Sequence, residues 1–302
     1  MNYHNPVLLQ EAVDGLHIKE DGIYVDVTFG GGGHSREILK RLGPAGKLFA
    51  FDQDEEAVKN TIPDERFLLI TENFRYISQF LKFYGIQQVD GVLADFGVSS
   101  HQFDNAARGF STRFDANLDM RMSQRDTLSA LEVVNDYTFE ALNRILFQYG
   151  ELRQAKAIAN AILAARELRA IKTSEQLKEV LKPFLPKHRE HKILAQVYQA
   201  IRIEVNQELS AISEFLLQTP DLVKVGGRLS LISYHSLEDR LVKRFITTGK
   251  FEGEPDKDFY GKSHIPFKKV NGLQVPTREE LKLNNRARSA KLRIAERIKE
   301  DS

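Results

Sequence analysis

Carboxylates that follow two apolar runs are the residues whose types and positions first suggest chemistry. Asp52 directly follows the run 47–51, and Asp95 directly follows the run 89–94. A carboxylate after the second strand of an α/β sheet is well placed to accept hydrogen bonds from ribose hydroxyls. Asp95 could contact a cofactor or accept an N–H from a nucleophilic amine, and its position does not separate these two roles.

Four consecutive glycines, Gly30–Gly33, lie between a β-branched run ending at Val27 and a helical pattern beginning at Ser35. Glycine lets a ligand lie against bare backbone, and a helix N-terminus adds free N–H groups. A nicotinamide fingerprint needs a third glycine where Ser35 or Arg36 stands. The pattern therefore favours S-adenosylmethionine over a dinucleotide, with an ordinary βα turn as the remaining alternative.

A second polar cluster follows a predicted strand at 228–233 and consists of His235, Ser236, Glu238 and Asp239. These side chains would lie beside the same crevice and are candidates for binding a target nucleotide. The spacing from Ser236 to Asp239 is equally typical of a capping box at a helix N-terminus. Both interpretations stay open, and they are compatible.

The elements that position these residues alternate between strand and helix over the first hundred residues. The predicted strands span 25–27, 48–51, 67–70 and 89–95. This alternation predicts a mainly parallel sheet with helices on both faces, in which ligands bind beyond the carboxyl ends of the strands. Four loops would then converge on one crevice: those holding Gly30–His34, Asp52, Asn73–Phe74 and Asp95.

The pattern changes after about residue 105, where a long helical stretch begins. It ends with one predicted amphipathic helix over 191–217. We therefore predict an α/β core split by an all-α inserted domain that recognises the substrate. The predicted domain bounds are 1–105 and 211–302 for the core and 106–210 for the insertion.

Two strands complete the predicted core after the insertion. A turn at Gly226–Gly227 precedes the strand at 228–233, and residues 290–294 alternate as an edge strand would. Both predicted strands depend on short patterns of alternating apolar residues. They would extend the sheet beyond the fourth strand.

Composition excludes several classes of protein. The 302 residues include no cysteine, which excludes disulfides, thiolate metal sites and a thiol nucleophile. The histidines show no metal-ligand spacing, so we expect no metal. No apolar run approaches the roughly 20 residues of a membrane span, and the first residues do not resemble a signal peptide. We therefore expect a cytoplasmic protein without a membrane partner.

The charge distribution bears on nucleic-acid binding. A net charge of +1 argues against a wholly basic binder, but the segment 278–299 holds eight Lys/Arg and three Glu. Such a segment could track phosphates, with Arg286 and Arg288 as candidate contacts. A solvated surface is the alternative interpretation. Nothing in the sequence indicates an oligomeric state.

Seven ordered motifs between about residues 4 and 297 resemble those of one enzyme family. They are DVTFGGGGHS at 26–35, DFGVSSHQ at 95–102, RGFS at 108–111, LDMRM at 118–122, YQAIRIEVN at 198–206, SYHSLEDR at 233–240 and RARSAKLR at 286–293. Together they are similar to the motifs of the bacterial 16S ribosomal RNA cytosine-N4 methyltransferases, also called the MraW or RsmH family.

This resemblance implies a Rossmann-like class I methyltransferase core, S-adenosylmethionine as cofactor, and a cytosine in the decoding centre of the small ribosomal subunit as target. The cofactor contacts that it implies are Gly32, Gly33, His34, Asp52, Phe74, Asp95 and Gln102. The chain departs from the family pattern at His101, which stands where a proline precedes the glutamine.

The chemistry of the residues agrees with this activity. Methylation of cytosine at C5 normally uses a cysteine, which this chain lacks, whereas an exocyclic amine attacks a methyl group directly. Asp95 is the candidate catalytic acceptor for the amine. The expected partner is 16S rRNA in the small subunit, with His235, Ser236, Arg286 and Arg288 as candidate contacts.

Two other functions remain open. One is an amino-methyltransferase acting on DNA or protein. DNA enzymes of this type usually carry Pro-Pro-aromatic after the acid of the fourth strand, where this chain has Phe-Gly-Val-Ser-Ser. We therefore do not expect DNA as a partner. The other is a ribosome-assembly factor that binds the cofactor without catalysis.

Overall fold

A computed structural model describes residues 6–255, 257, 261 and 263–299. The chain forms two compact units. The core unit comprises residues Met1–Gly97 and Leu209–Ser302, and the helical unit comprises Val98–Glu208. The helical unit begins at Val98 because Val98 and Phe103 pack against its apolar cluster.

The described residues form twelve α-helices and seven strands. The strands are β1 (Ile23–Asp26), β2 (Lys47–Phe51), β3 (Phe67–Ile70), β4 (Val89–Asp95), β5 (Val223–Ser233), β6 (Phe267–Gln274) and β7 (Lys291–Arg297). The helices are α1 (Leu9–Gly15), α2 (Gly33–Arg41), α3 (Ile77–Phe83), α4 (Ser100–Asp104), α5 (Ala130–Asp136), α6 (Phe139–Gln148), α7 (Ala155–Leu168), α8 (Ser174–Leu181), α9 (Glu190–Asn206), α10 (Glu208–Leu222), α11 (Ser236–Thr248) and α12 (Arg278–Leu283). Among these described helices, none is both long and apolar enough to cross a bilayer.

All seven strands belong to one sheet of the core unit, in the order β3-β2-β1-β4-β5-β7-β6. The first five strands pair in parallel, whereas β7 is antiparallel to β5 and β6 is antiparallel to β7. This confirms the predicted Rossmann-like, mainly parallel α/β core. The chain order reverses between β1 and β4, and ligands bind at the carboxyl ends of strands beside such a reversal.

Both faces of the sheet are buried by helices of the core unit. Side chains alternate across β2, where Leu48 packs into one apolar cluster and Phe49 into the other. The first cluster includes Ile38 of α2, and the second includes Phe215 of α10 and Phe245 of α11. This two-sided burial explains why the parallel strands are almost continuously apolar.

The helical unit has an apolar cluster of its own, contributed by all of its longer helices. Hydroxyl side chains define where several helices begin. Thr138 caps α6, and Thr173 caps α8 in a capping box with Gln176.

The predicted single helix over 191–217 is wrong, because the chain breaks at Gln207. This residue has φ 49°, a left-handed conformation that ends α9 before α10 begins. The preceding Asn206 is buried, where its side chain accepts from Met122 N–H at 2.6 Å and donates to the Met120 carbonyl at 2.8 Å. These distant contacts fix the end of α9, and the helical pattern does not reveal them.

The predicted edge strand at 290–294 is also wrong in its position. β7 lies inside the sheet between β5 and β6, and β6 is the edge strand. The sequence prediction missed β6 because exposed Lys268, Lys269 and Asn271 interrupt its apolar alternation. Lysines are typical of edge strands, which they protect from pairing with other chains.

The predicted turn at Gly226–Gly227 lies within β5 rather than before it. The pairing of β5 with β4 shifts register between Val89 and Gly91, so the glycines form an irregularity in a longer strand. Gly226 has φ +81°, and a Cβ on Gly227 would lie 2.8 Å from the Asp90 carbonyl. Glycine is therefore needed at both positions.

An ion pair joins α11 to β7. Asp239 accepts from Arg293 Nε at 2.7 Å and from Lys291 Nζ at 3.1 Å. Although burial opposes ionisation, the hydrogen bonds from Arg293 and Lys291 hold the pKa of Asp239 below its usual value. The ionised form therefore stabilises the fold above the unfolded-state pKa of about 4, and this contribution is lost as the pH falls through the folded-state pKa.

We predict that Asp239→Asn lowers the free energy of unfolding by about 1–3 kcal/mol at pH 7, because Arg293 and Lys291 would no longer face a negative charge. The difference from the wild type should shrink as the pH falls below about 4. Urea unfolding across pH measures it, with the exposed Asp221→Asn as a control expected to change little. A loss that does not vary with pH would contradict the ion-pair account.

Candidate active site

The glycine loop after β1 turns sharply before α2. Gly30 has φ 51° and Gly32 has φ 75°, conformations that residues with a side chain rarely adopt. A Cβ on Gly32 would also lie 2.8 Å from the Phe29 ring. The helix α2 begins at Gly33, two residues before the predicted start, and this places its N-terminus directly in the loop.

Asp26, the last residue of β1, fixes this loop through hydrogen bonds. Its side chain is fully buried and accepts from Ser35 Oγ at 2.7 Å and from Thr28 N–H at 3.1 Å. Burial raises the pKa of Asp26. Sequence reasoning did not select Asp26 as a site residue, although an acid inside an apolar run is itself a signal.

Asp52 lies where the sequence predicts it, directly after β2. Its Oδ2 accepts from Gly30 N–H at 2.7 Å, and its Oδ1 accepts from Asp54 N–H at 2.9 Å. Burial raises the pKa of Asp52 to about 6. Each carboxylate oxygen can accept a further hydrogen bond, so the side chain can bind ribose hydroxyls while it holds the loop.

Asp95 ends β4 and is held at two points. Its N–H donates to Thr28 Oγ1 at 2.6 Å, and its Oδ1 accepts from the Tyr234 hydroxyl at 2.7 Å. Burial raises the pKa of Asp95 to about 6, although nearby His34 and the bond from Tyr234 oppose that shift. Asp95 is therefore mainly ionised at neutral pH, and its pKa is close enough to that pH for it to exchange a proton.

Tyr234 is a site residue that sequence reasoning missed. It is the first residue after β5, and β5 pairs with β4. The carboxyl ends of neighbouring parallel strands meet at one edge of the sheet, so the predicted strands already indicated that Tyr234 lies near the site. The contact with Asp95 links residues 139 apart in the sequence.

His34 and Phe74, two of the predicted cofactor contacts, also belong to the core unit. His34 is buried near the N-terminus of α2, where its Nε2 lies 3.1 Å from the Val7 carbonyl. Phe74 is half-buried, with ring centroids 5.9 Å from Phe96 and 5.6 Å from Phe215. Phe74 therefore packs in the core, and its contact with a cofactor stays a prediction.

Gln102 belongs to the helical unit. It is buried in the first turn of α4, and its side chain and N–H form a capping box with Ser99. This local role accounts for a glutamine at that position. A cofactor contact by Gln102 stays a prediction.

The cluster after β5 does cap a helix, but the predicted capping box of Ser236 with Asp239 is wrong by one residue. His235 caps α11, where its Nδ1 accepts from Glu238 N–H at 3.4 Å. Glu238 Oε2 in turn accepts from the N–H groups of Tyr234 at 2.7 Å and His235 at 3.2 Å. Ser236 is exposed as the first residue of α11.

Part of the basic segment at 278–299 serves the fold. Lys291 and Arg293 bind Asp239, and Arg297 Nε donates to the Pro220 carbonyl at 2.8 Å. Arg288 is exposed and Arg286 is half-buried in the short 3-10 turn Asn285–Ser289. Of the predicted phosphate contacts, these two arginines remain candidates.

Comparisons with known proteins identify the family of the chain. The MraW methylase family matches residues 1–298 of the chain. The chain belongs to this family. "Ribosomal RNA small subunit methyltransferase H" of Christiangramia forsetii is 66% identical over 99% of both chains. The proteins of the same name from Flavobacterium johnsoniae and Parabacteroides distasonis are 66% and 54% identical, over 99% and 98% of both chains.

We predict that Asp52→Ala weakens S-adenosylmethionine binding by about 1.5–3 kcal/mol, because the ribose hydroxyls would have no charged acceptor. Titration calorimetry measures the affinity. Glu65→Ala, which removes an exposed acid outside the crevice, should bind as the wild type does. Unchanged affinity in Asp52→Ala would contradict the ribose assignment.

Proposed function

We propose that this MraW-family chain is an S-adenosylmethionine-dependent methyltransferase that acts on the N4 amine of a cytosine in the decoding centre of 16S rRNA. The observation that carries the proposal is the crevice at the chain reversal. There Asp52 accepts from Gly30 N–H of the glycine loop, and Asp95 is fixed at the end of β4. The names of the relatives support rRNA as the substrate class.

S-adenosylmethionine suits this loop better than a dinucleotide does. Gly30 N–H already donates to Asp52, so it is not offered to a pyrophosphate. Asp52 would hold the ribose, and Gly32, Gly33, His34 and Phe74 are the further contacts that we propose. When bound, the cofactor supplies an electrophilic methyl group on a positively charged sulfur.

Asp95 can compensate for the weak nucleophilicity of the cytosine amine. The lone pair of a cytosine amine is delocalised into the ring, so the amine is a poor nucleophile. An ionised carboxylate that accepts one N–H favours attack by nitrogen and takes the proton that the product loses. The pKa of Asp95, about 6, keeps it ionised at neutral pH. Positioning of amine and methyl group supplies much of the remaining acceleration.

An amine target is also favoured by composition. Methylation at C5 of cytosine normally proceeds through a covalent bond to a cysteine, and the chain has no cysteine. Attack by an exocyclic amine needs no such bond. Asp52 and Asp95 at the crevice are acceptors of hydrogen bonds, as that chemistry requires.

The proposed partner is the small ribosomal subunit. With a net charge of +1, RNA binding has to come from local patches. We assign contacts to Arg286, Arg288, His235 and Ser236, and substrate recognition to the helical unit. Action on ribosomal subunits implies that the protein acts in the cytoplasm.

A transfer assay with S-adenosylmethionine tritiated on its methyl group tests the proposal. The acceptors are small subunits, free 16S rRNA, DNA and total protein. We expect label in 16S ribosomal RNA and none in DNA or protein. Label in DNA or protein would favour another amino-methyltransferase, and cofactor binding without transfer would favour a non-catalytic assembly factor.

We predict that Asp95→Asn lowers the methyl-transfer kcat at saturating cofactor by about 10²–10⁴-fold, because the amide cannot accept the amine proton. Asp90→Asn is the matched control, since Asp90 lies at the opposite end of β4 and binds Lys224 at 2.7 Å. It should keep its turnover. Near-normal kcat in Asp95→Asn would overturn the role of Asp95.

We predict that Arg286→Glu with Arg288→Glu weakens binding to 16S rRNA and reduces its salt dependence by about 0.7–0.9 log units for each phosphate that is no longer neutralised. Filter binding across a salt series measures the slope. Lys47→Glu with Lys82→Glu changes the charge equally at exposed positions away from the crevice and should leave the slope unchanged. Equal slopes in all three proteins would assign RNA binding to other residues.

A further inference from the structure

Tyr234 directly follows β5, beside the end of β4 that holds Asp95. The sequence motifs give it no role in the reaction. In the pairing of β4 with β5, Asp95 lies opposite Ile232. Tyr234 is two residues further along, on the same face as Ile232, and packs against the same apolar cluster. Its hydroxyl then reaches Asp95 Oδ1 at 2.7 Å.

The backbone of Tyr234 is fixed as firmly as its hydroxyl. Its N–H donates at 2.7 Å to Oε2 of Glu238, a side chain with no solvent exposure. The same oxygen accepts from His235 N–H at 3.2 Å, as part of the capping box of α11. Helix α11 therefore holds the tyrosine against the carboxylate.

The hydrogen bond from Tyr234 makes the two carboxylate oxygens of Asp95 different. Oδ1 is engaged by Tyr234, whereas among the described residues no group donates a hydrogen bond to Oδ2. The carboxylate has no freedom to exchange its oxygens without breaking the bond. A single, fixed acceptor is what an amine of defined geometry requires.

We propose that Tyr234 is a positioning residue for methyl transfer: its hydroxyl holds Asp95 Oδ1 and reserves Oδ2 for the N–H of the target amine. This rests on the proposed function. In the step itself the amine nitrogen gains the methyl carbon, the methyl–sulfur bond breaks with its electron pair left on sulfur, and the N–H proton passes to Asp95 Oδ2.

The bond also sets the pH at which the acceptor is available. Burial raises the pKa of Asp95 most; His34 and the Tyr234 hydroxyl favour its ionised form, and the charges of Asp26 and Glu238 oppose it. Loss of the hydroxyl therefore raises the pKa of Asp95 above about 6. The acid limb of the activity profile moves to higher pH as a result.

Tyr234→Phe removes the hydroxyl and keeps the ring. Methyl transfer to small subunits, measured from about pH 5 to about pH 9, should show kcat about 10-fold lower at pH 7 and an acid limb about one pH unit higher. The KM values for cofactor and subunit should stay within about twofold, because neither is bound by the hydroxyl.

Tyr24→Phe is the matched control. Its hydroxyl accepts from Lys19 N–H at 2.8 Å in the same unit, near the amino ends of the strands. The control loses a buried hydrogen bond but should keep the wild-type pH profile. A Tyr234→Phe profile identical to that of the control would overturn the inference.

A carbon-13 NMR titration of the Asp95 carboxyl separates this inference from the proposed function. Wild-type and Tyr234→Phe proteins should differ by about one pH unit in that titration. If the titration shifts and the kcat profile does not, Asp95 is not the acceptor and the proposed function of Asp95 fails. If neither shifts while Asp95→Asn is inactive, only the role of Tyr234 fails.

Discussion

Carboxylates at three neighbouring strand ends have to be hydrogen-bonded once the sheet and its helices shield them from water, and the crevice is shaped by how this is done. Asp26 binds Thr28 and Ser35, Asp52 binds Gly30, and Asp95 binds Tyr234. The donors are the loops themselves. The glycine loop therefore takes its conformation from the acids around it, and the acids take theirs from the loop.

Thr28 shows how closely these groups are connected. Its N–H donates to Asp26, while its hydroxyl oxygen accepts from Asp95 N–H at 2.6 Å. The ends of β1 and β4 are thereby tied at the point where the order of the sheet reverses. Because burial raises the pKa values of Asp52 and Asp95 to about 6, the site carries its negative charge mainly above that pH. A positively charged methyl donor is favoured by such a site.

Sequence patterns predict the parts of the site that depend on local order. The glycine loop, Asp52 and Asp95 each follow a strand, and the parallel topology brings strand ends together without further information. Tyr234 and Asp26 were missed because their roles depend on their partners. The contact of Tyr234 with Asp95 spans 139 residues, and Asp26, the last residue of β1, binds Thr28 and Ser35. The break at Gln207 was missed for the same reason, since buried Asn206 binds residues far earlier in the chain. The edge strand β6 was missed because its lysines obscure the alternation.

The identity of the methylated nucleoside tests the central claim most directly. Small subunits methylated by the wild-type protein are digested to nucleosides. The methylated nucleosides are separated by chromatography, which distinguishes isomers of equal mass, and identified by mass spectrometry. An amine attack assisted by Asp95 predicts cytidine methylated at N4. A methyl group on C5 of cytidine, on a ring nitrogen or on ribose would contradict the account.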